Sequence, residues 1–393
     1  MNQDAVVIVA ARRTPIGSFL GSLATVSAPE LAAVAVQACL KDTGLAPDSI
    51  EQALIGCVLQ AGIGQAPARQ AALAAGLPDT VDCTTVNKVC GSAMKATIIA
   101  HDMIRAGSTS IAIAGGMESM SNAPYLLPKA RSGYRMGHQQ VIDHMLYDGL
   151  ENPYDGQSMG FFGDQTACKY EFSREQQDSF SIGSVERALA AIASGAFDAE
   201  IAPVVVRSRK GDSIVDTDEE PGRCNIERIP AMRAAFSPDG TVTAASSSSI
   251  ADGAAALILM TETEANRRGL AVLARIIGHS SHSHEPEWFT TAPVSAIAKL
   301  HERLGWSPDD VDLYEVNEAF ACVSMAAIHD LGLDRAKVNV NGGACALGHP
   351  IGATGARIIV TLIHALHDRG GKRGVASLCI GGGEALAVGI EIP

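Results

Sequence analysis

The sequence predicts an α/β protein of two duplicated βαβα halves, with a large excursion lodged between them. Three observations carry this. Strand and helix patterns alternate over residues 5–116. They alternate again, in similar order, over 273–383. The stretch from 121 to 250 breaks the rhythm with Pro124, Pro128, Pro153, Pro203, Pro221, Pro230 and Pro238. On this reading the chain divides into a first half, 1–120, a loop domain, 121–250, and a second half, 251–393.

In the first half, 5–10 reads as a strand and 29–41 as a helix closing near Gly44. A strand over 52–59 and a helix over 66–75 follow. Residues 82–86 form a short strand that runs through Cys90 into a helix over 92–106, and 110–114 is a strand ending in Gly115-Gly116. In the loop domain one helix is clear, over 174–193, with Ser173 as its N-cap and Gln176 three residues on. That domain ends in the serine-rich run 246–249. The second half reads as strands over 273–280, 312–316, 338–340 and 375–379, with helices over 294–304, 319–331 and 352–367. Thr84-Thr85-Val86-Asn87 before Cys90 parallels Val338-Asn339-Val340-Asn341 before His349, which places a site where the halves meet.

Composition narrows the function. With 47% hydrophobic and 19% charged residues in 393, the chain can bury a sizeable core. A net charge of −13 argues against nucleic acid as the main partner. The nine cysteines are scattered with no CxxC pair, so neither a disulfide framework nor a structural zinc site is expected. No apolar run is long enough to span a bilayer, no signal or transit segment opens the chain, and Glu391-Ile392-Pro393 is no peroxisomal address. A cytoplasmic protein without membrane contact is the expectation. His282 and His284 have a metal-like spacing, but a strand-end loop explains them better, and no residue is assigned as a metal ligand.

Four positions carry chemistry. His349 sits in a glycine-rich turn, Leu347-Gly348-His349-Pro350, as a general base or oxyanion donor, or as a turn residue capping the next helix. Cys90 lies where strand gives way to helix. A helix N-terminus would lower its pKa and expose it as a nucleophile; a small buried core residue is the alternative. Cys379 precedes Ile380-Gly381-Gly382-Gly383, whose backbone N–H groups could form an oxyanion hole, though a strand-end cysteine in tight packing fits as well. Asn317 follows a strand as a helix cap or as a residue that orients a water.

Taken together, the Cys90 motif, Gly115-Gly116-Met117-Glu118-Ser119-Met120-Ser121-Asn122-Ala123-Pro124-Tyr125, Asn317-Glu318-Ala319-Phe320, the turn at 348–350 and the triple-glycine end resemble a thiolase, in order and spacing from one end of the chain to the other. Gly64-Gln65-Ala66-Pro67-Ala68-Arg69-Gln70 and 117–125 resemble the short-chain, acetoacetyl-CoA branch. The resemblance implies a five-layered α-β-α-β-α core and reversible Claisen condensation of two acetyl-CoA to acetoacetyl-CoA and CoA, with a broad-chain 3-ketoacyl-CoA thiolase as the alternative. It implies that Cys90 accepts the acetyl group, that His349 takes its proton, and that Cys379 is the acid/base at the α-carbon. Asn317 holds a water that forms one oxyanion hole with His349; the N–H groups of Cys90 and Gly381 form the other. Met159, Phe236, Ala244, Ser248, Ile250, Ala319 and Phe320 are expected around coenzyme A. Ser158 stands where the family often has His, and the acidic segment near 221, where the family often has Arg, reads Glu220-Pro221-Gly222-Arg223 here, so Arg223 or Arg228 is expected to take a phosphate or adenine contact. No resident cofactor is implied, only CoA thioesters as substrates. Residues 126–149 resemble a loop that ties dimers into tetramers.

Overall fold

A computed structural model describes residues 4–393; residues 1–3, with which the first half was taken to begin, lie outside the described residues. The first half supplies strands β1 (Val6–Arg13), β2 (Gln52–Gly56), β3 (Asp82–Val86), β4 (Ile111–Ser119) and β5 (Ala251–Thr261). Its helices are α1 (Ala28–Thr43), α2 (Pro67–Ala74) and α3 (Ser92–Arg105). The loop domain carries α4 (Met159–Lys169) and α5 (Arg174–Ser194). The second half adds β6 (Ala274–Ser283), β7 (Leu313–Val316), β8 (Arg373–Ile380) and β9 (Glu384–Glu391), with α6 (Ala292–Leu304), α7 (Ala321–Leu331) and α8 (Thr354–Arg369).

The strands run in the order β7-β8-β9-β6-β1-β5-β4-β2-β3, in a sheet of ten that includes the two-residue strand Gly17–Ser18 beside β5. The halves meet at β1 and β6 through two residue pairs only, Val7 with Arg275 and Ile8 with Ala274. On either side the pattern repeats: β4 and β8 each pair parallel with a strand that follows a crossover helix, and antiparallel with the last strand of the half. The apolar faces of α3 and α8 share one core with strands of both halves. Helices α1 and α2 cover the outer face of the first sheet region and α6 that of the second, each over a separate apolar cluster. This layering follows from burial. A sheet whose strands are apolar on both faces must have helices on both sides.

The element ends follow local chemistry. The Ser27 N–H donates to Glu30 Oε2 at the start of α1, and Gly44 closes it at φ 64°. In α5 the Gln176 N–H donates to Ser173 Oγ and the Ser173 N–H donates back to Gln176 Oε1, as the sequence pattern required.

Several expectations need correction. β5, β9 and α4 had not been anticipated. β5 reads Ala-Asp-Gly-Ala-Ala-Ala-Leu-Ile-Leu-Met-Thr and is buried on both faces except at its end, so it lacks the alternation that marks a strand. It lies between β1 and β4, so the strand beginning at 251 sits in the sheet of the first half, although the second half was drawn from that residue. β4 continues through Gly115 and Gly116 to Ser119. A Cβ at Gly116 would stand 2.0 Å from the Gly352 carbonyl oxygen, so glycine is what lets the strand lie against the His349 turn. Residues 338–340 are not a strand. Asn339 adopts φ 49°, and its side-chain amide accepts from the Val316 N–H and donates to the Val316 carbonyl, standing in for ladder bonds. Only Val338 bridges to Tyr314.

The loop domain is tied down by a buried charge cluster. Arg13, fully buried, donates to Glu200 through Nε and to Asp218 through both terminal nitrogens. Breaking a buried pair of this kind typically costs about 3–5 kcal/mol.

Candidate active site

Cys90 sits at the end of a strained turn. Val89, β-branched, is at φ 47°, a conformation that costs on the order of 1–3 kcal/mol unless its surroundings enforce it. They do. Asn87 Oδ1 accepts from the Val89 N–H at 3.0 Å, while Ser92 Oγ accepts from the Lys88 N–H at 2.9 Å and donates to the Val89 carbonyl at 2.6 Å. The backbone N–H groups of Gly381 and of Cys90 itself both reach the thiol sulfur. Burial nevertheless pushes the thiol up to about 11. The sequence expectation of a depressed pKa is therefore corrected: among these apolar neighbours, loss of water outweighs the helix end and two N–H donors.

His349 is held in one tautomer. The Thr354 hydroxyl donates to the Pro350 carbonyl at 2.9 Å, so its oxygen accepts from His349 Nδ1–H at 2.6 Å. Nε2 is left as an acceptor, buried and without a partner. Burial first, and the Arg357 charge second, lower the ring to about 3, so the imidazole is neutral at physiological pH. The turn itself is fixed from two sides. The His349 N–H donates to the Ser249 carbonyl, and the Gly352 N–H to Glu118 Oε2.

Cys379 lies near the end of β8, 1% exposed, packed with Ala319, Phe320, Cys322 and Val323. Burial raises its thiol well above the ordinary value, with further pushes from Cys90 and Cys322. Asn317 is also 1% exposed. It does not cap α7, whose N-cap is Phe320. Its N–H donates to the Ser377 carbonyl, Oδ1 accepts a long bond from Arg357 at 3.5 Å, and Nδ2 has no partner. An unpaired buried donor of this kind suits a water molecule. Behind it Glu315 lies 3.5 Å from Arg357, and burial pushes that carboxyl up against the pull of the guanidinium.

One cavity of about 440 Å³ gathers His349, Met159, Phe236, Ala244, Ser248, Ile250 and Phe320. The serine-rich turn forms its wall because it is stitched to both sides: the Ser248 N–H donates to the Ala319 carbonyl and the Ala321 N–H to the Ser246 carbonyl. Ala319 is buried behind this wall and does not line the cavity. Neither Arg223 nor Arg228 lines it either. Arg223 pairs with Glu219 at 3.1 Å, and Arg228 lies on the short helix Ile226–Ala231. A larger groove of about 710 Å³, bordered by Arg187, Asn341 and Arg369, contains none of these residues.

Sequence reasoning missed Thr354, which sets the histidine tautomer. It also gave no role to Glu118, whose carboxylate accepts from the N–H groups of Val58, Leu59 and Gly352 and so joins two loops to strand β4 beneath the site. A lone acid inside an apolar motif was the available signal for Glu118. Leu146 and Leu150, which also line the cavity, had none.

Comparison with known proteins agrees with this geometry. The family model for the thiolase N-terminal domain matches residues 6–263, and that for the thiolase C-terminal domain matches 270–392. The chain is 48% identical over 385 residues to an acetyl-CoA acetyltransferase of Pseudomonas aeruginosa, covering 98% of each chain. It is 48% identical to acetyl-CoA acetyltransferase 2 of Arabidopsis thaliana, covering 100% of this chain and 98% of that one. The crystal structure of the Bacillus anthracis acetyl-CoA acetyltransferase superimposes with a TM-score of 0.97 at 42% identity, over 100% of this chain and 99% of that one. The Acat5 thiolase of Ascaris suum in complex with coenzyme A gives 0.94 at 41%, over 99% and 100%. With both halves matched and the relatives aligned end to end, the chain belongs to the thiolase family.

Proposed function

We propose that this protein is an acetyl-CoA C-acetyltransferase that condenses two acetyl-CoA to acetoacetyl-CoA and CoA, reversibly, through an acetyl thioester on Cys90. The observation that carries the proposal is the nearness of two thiols, half-buried Cys90 and buried Cys379, together with a neutral His349, its Nε2 unpartnered, on the wall of one apolar cavity.

The steps balance without any reactant beyond CoA thioesters. Cys90 attacks the first carbonyl while its proton passes to His349 Nε2. The departing CoA sulfur takes the Cys379 proton, leaving a thiolate. That thiolate removes an α-proton from the second acetyl-CoA, and the resulting enolate attacks acetyl-Cys90. Cys90 leaves as a thiolate and recovers its proton from His349. A Cys379 thiol held high suits this role, since its thiolate is then a stronger base toward a weakly acidic carbon. The N–H groups of Cys90 and Gly381 stabilise one oxyanion; His349 and a water on Asn317 stabilise the other. Met159, Phe236, Ala244, Ser248, Ile250 and Phe320 surround the pantetheine, with Ala319 behind them, and Arg223 or Arg228 meets the phosphate or adenine end.

Thiolysis by CoA across 3-ketoacyl-CoA chain lengths tests the substrate range. The expected result is a kcat/KM that is highest for acetoacetyl-CoA and falls steeply with each lengthening. A flat or rising profile would make the protein a broad-chain 3-ketoacyl-CoA thiolase. Thr354→Val keeps the shape but removes the hydroxyl, and kcat is expected to fall at least about tenfold with KM little changed, because His349 loses its fixed tautomer. An unaltered kcat would remove Thr354 from the account.

The assembly is proposed to be a tetramer. Leu127, Tyr134, Met136 and Val141 are exposed within residues 126–149, Met136 by 93%, and such a patch favours covering by another subunit. Sedimentation that finds only dimers at micromolar concentration would overturn this. We place the protein in the cytoplasm, where nine unpaired cysteines are stable; among the described residues no helix is long and apolar enough to cross a membrane. Cell fractionation checks the placement.

A further inference from the structure

The chain carries histidines that the reaction does not use. His282 and His284, whose spacing looks metal-like, touch ring to ring at 5.0 Å but face different partners. His282 Nδ1 accepts from Lys299 Nζ at 2.9 Å, and His284 Nε2 donates to the Trp288 carbonyl at 2.8 Å. An ammonium group on one ring and a backbone oxygen on the other leave no room for a shared cation. His279, further up the same strand, is placed differently. It faces the last turns of α3, where His101 and Asp102 lie.

We propose that His101, Asp102 and His279 form a binding site for zinc(II), which links helix α3 of the first half to strand β6 of the second. Their ligand atoms all lie within 4.8 Å of one another. Asp102 Oδ1 is 2.9 Å from His101 Nδ1 and 3.0 Å from His279 Nε2. Neighbouring residues on a helix point about 100° apart and ordinarily diverge, yet here the Asp102 carboxylate folds back to meet both rings. Tetrahedral zinc, with bonds of about 2.0–2.2 Å, sets its donors about 3.3 Å apart. Lengthening each Asp102 contact by a few tenths of an ångström provides this for the carboxylate, and the two ring nitrogens lie within 4.8 Å of each other. The Asp102 side chain is 55% exposed, which gives it room to move and leaves the fourth position to water. The two imidazoles are edge to face at 5.3 Å, and His101 is 4% exposed, so the less mobile ligands are already in place.

The donor set chooses the ion. Two imidazoles and one carboxylate suit zinc and its first-row neighbours, whereas magnesium and calcium want an all-oxygen shell. Two features weaken the site. His101 Nε2 is buried without an acceptor to orient it, and Arg105 opposes added positive charge. Affinity is therefore expected near the micromolar range. His101 lies nine residues on from Ser92 at the start of α3, about 14 Å along the axis, so the ion stays clear of Cys90 and acts as a clasp between the halves.

Cobalt(II) titration of metal-stripped protein tests this, since cobalt reports its ligands by colour. The expected result is one bound equivalent with visible ligand-field bands and no near-ultraviolet thiolate charge transfer, displaced by zinc. Asp102→Asn, at an exposed position, and His279→Ala are expected to weaken uptake at least about tenfold while circular dichroism and acetyl transfer stay unchanged. Thiolate absorption, uptake unaffected by either substitution, or no uptake below about 1 mM would each overturn the assignment.

Discussion

Cys90→Ser is expected to lower both condensation and thiolysis by about 10⁴-fold or more, and to hold no acetyl group after exposure to acetyl-CoA. The size of the loss follows from how the site is prepared. Burial raises the Cys90 thiol to about 11 and lowers His349 to about 3. A raised thiol pKa favours the neutral form below 11, and a depressed imidazole pKa favours the neutral form above 3. Across the interval between them both partners are uncharged. The site thus rests as thiol and imidazole, and the proton moves during attack. An alcohol in the same place is both a poorer nucleophile and a poorer leaving group, so each half of the reaction suffers. The same reasoning fixes a pH dependence. At pH 7 only about one Cys90 in 10⁴ is a thiolate, so alkylation of the free enzyme by iodoacetamide rises about tenfold per pH unit from 7 to 10. Mass spectrometry of the peptide holding Cys90 reads this apart from the exposed Cys168. A plateau near neutrality would mean a resting thiolate–imidazolium pair and would sink this account of the ground state.

Cys379→Ala is expected to separate the two half-reactions. Acetylation of Cys90 by acetyl-CoA slows, because the departing CoA sulfur loses the proton from Cys379, but it still goes to completion, seen as the mass of one acetyl group on the Cys90 peptide. Exchange of the acetyl-CoA α-protons with solvent, and condensation, fall by about 10³-fold, the usual worth of a positioned acid/base. Cys379 is almost wholly enclosed, so the substitution leaves a small void and no new polar group. Circular dichroism with the persisting acetylation shows that the fold has survived. Condensation within tenfold of the parent would assign the α-proton to another group. Complete loss of acetylation together with an altered circular dichroism spectrum would mean that the substitution acts through the fold and not through the proton.

How far the sequence could be read differs by element. Helices α1 and α5 announced themselves, because their end signals are local: Gly44 closes one, and Ser173 with Gln176 opens the other. Strand β5 did not. β5 owes its place to β1 and β4 on either side, and its run of alanines and leucines carries no period of two. At 338–340 the apolar pattern suggested a strand, but the Asn339 side chain took the bonds that a neighbouring strand would have made. Among site residues, Cys90 and His349 stand at turns that glycine and proline mark in the chain. Thr354 and Glu118 act only through partners distant in sequence or across a turn, and nothing local distinguishes them from ordinary helix and strand residues.

By itself the sequence determined that this is an α/β chain of the thiolase fold, and it pointed to the residues here proposed to carry the chemistry, since hydrophobic period, caps and glycine-rich turns are short-range properties. The tertiary structure alone decided the charge states of the site. The Cys90 position beside a helix promised a low pKa, and the apolar walls contributed by Val58, Leu59, Met120 and Ile351 reversed it. It also decided which histidine tautomer faces the cavity and which of the surplus histidines meet a carboxylate. These depend on desolvation and on contacts between segments far apart in the chain, and both come into being only when the halves close on one another.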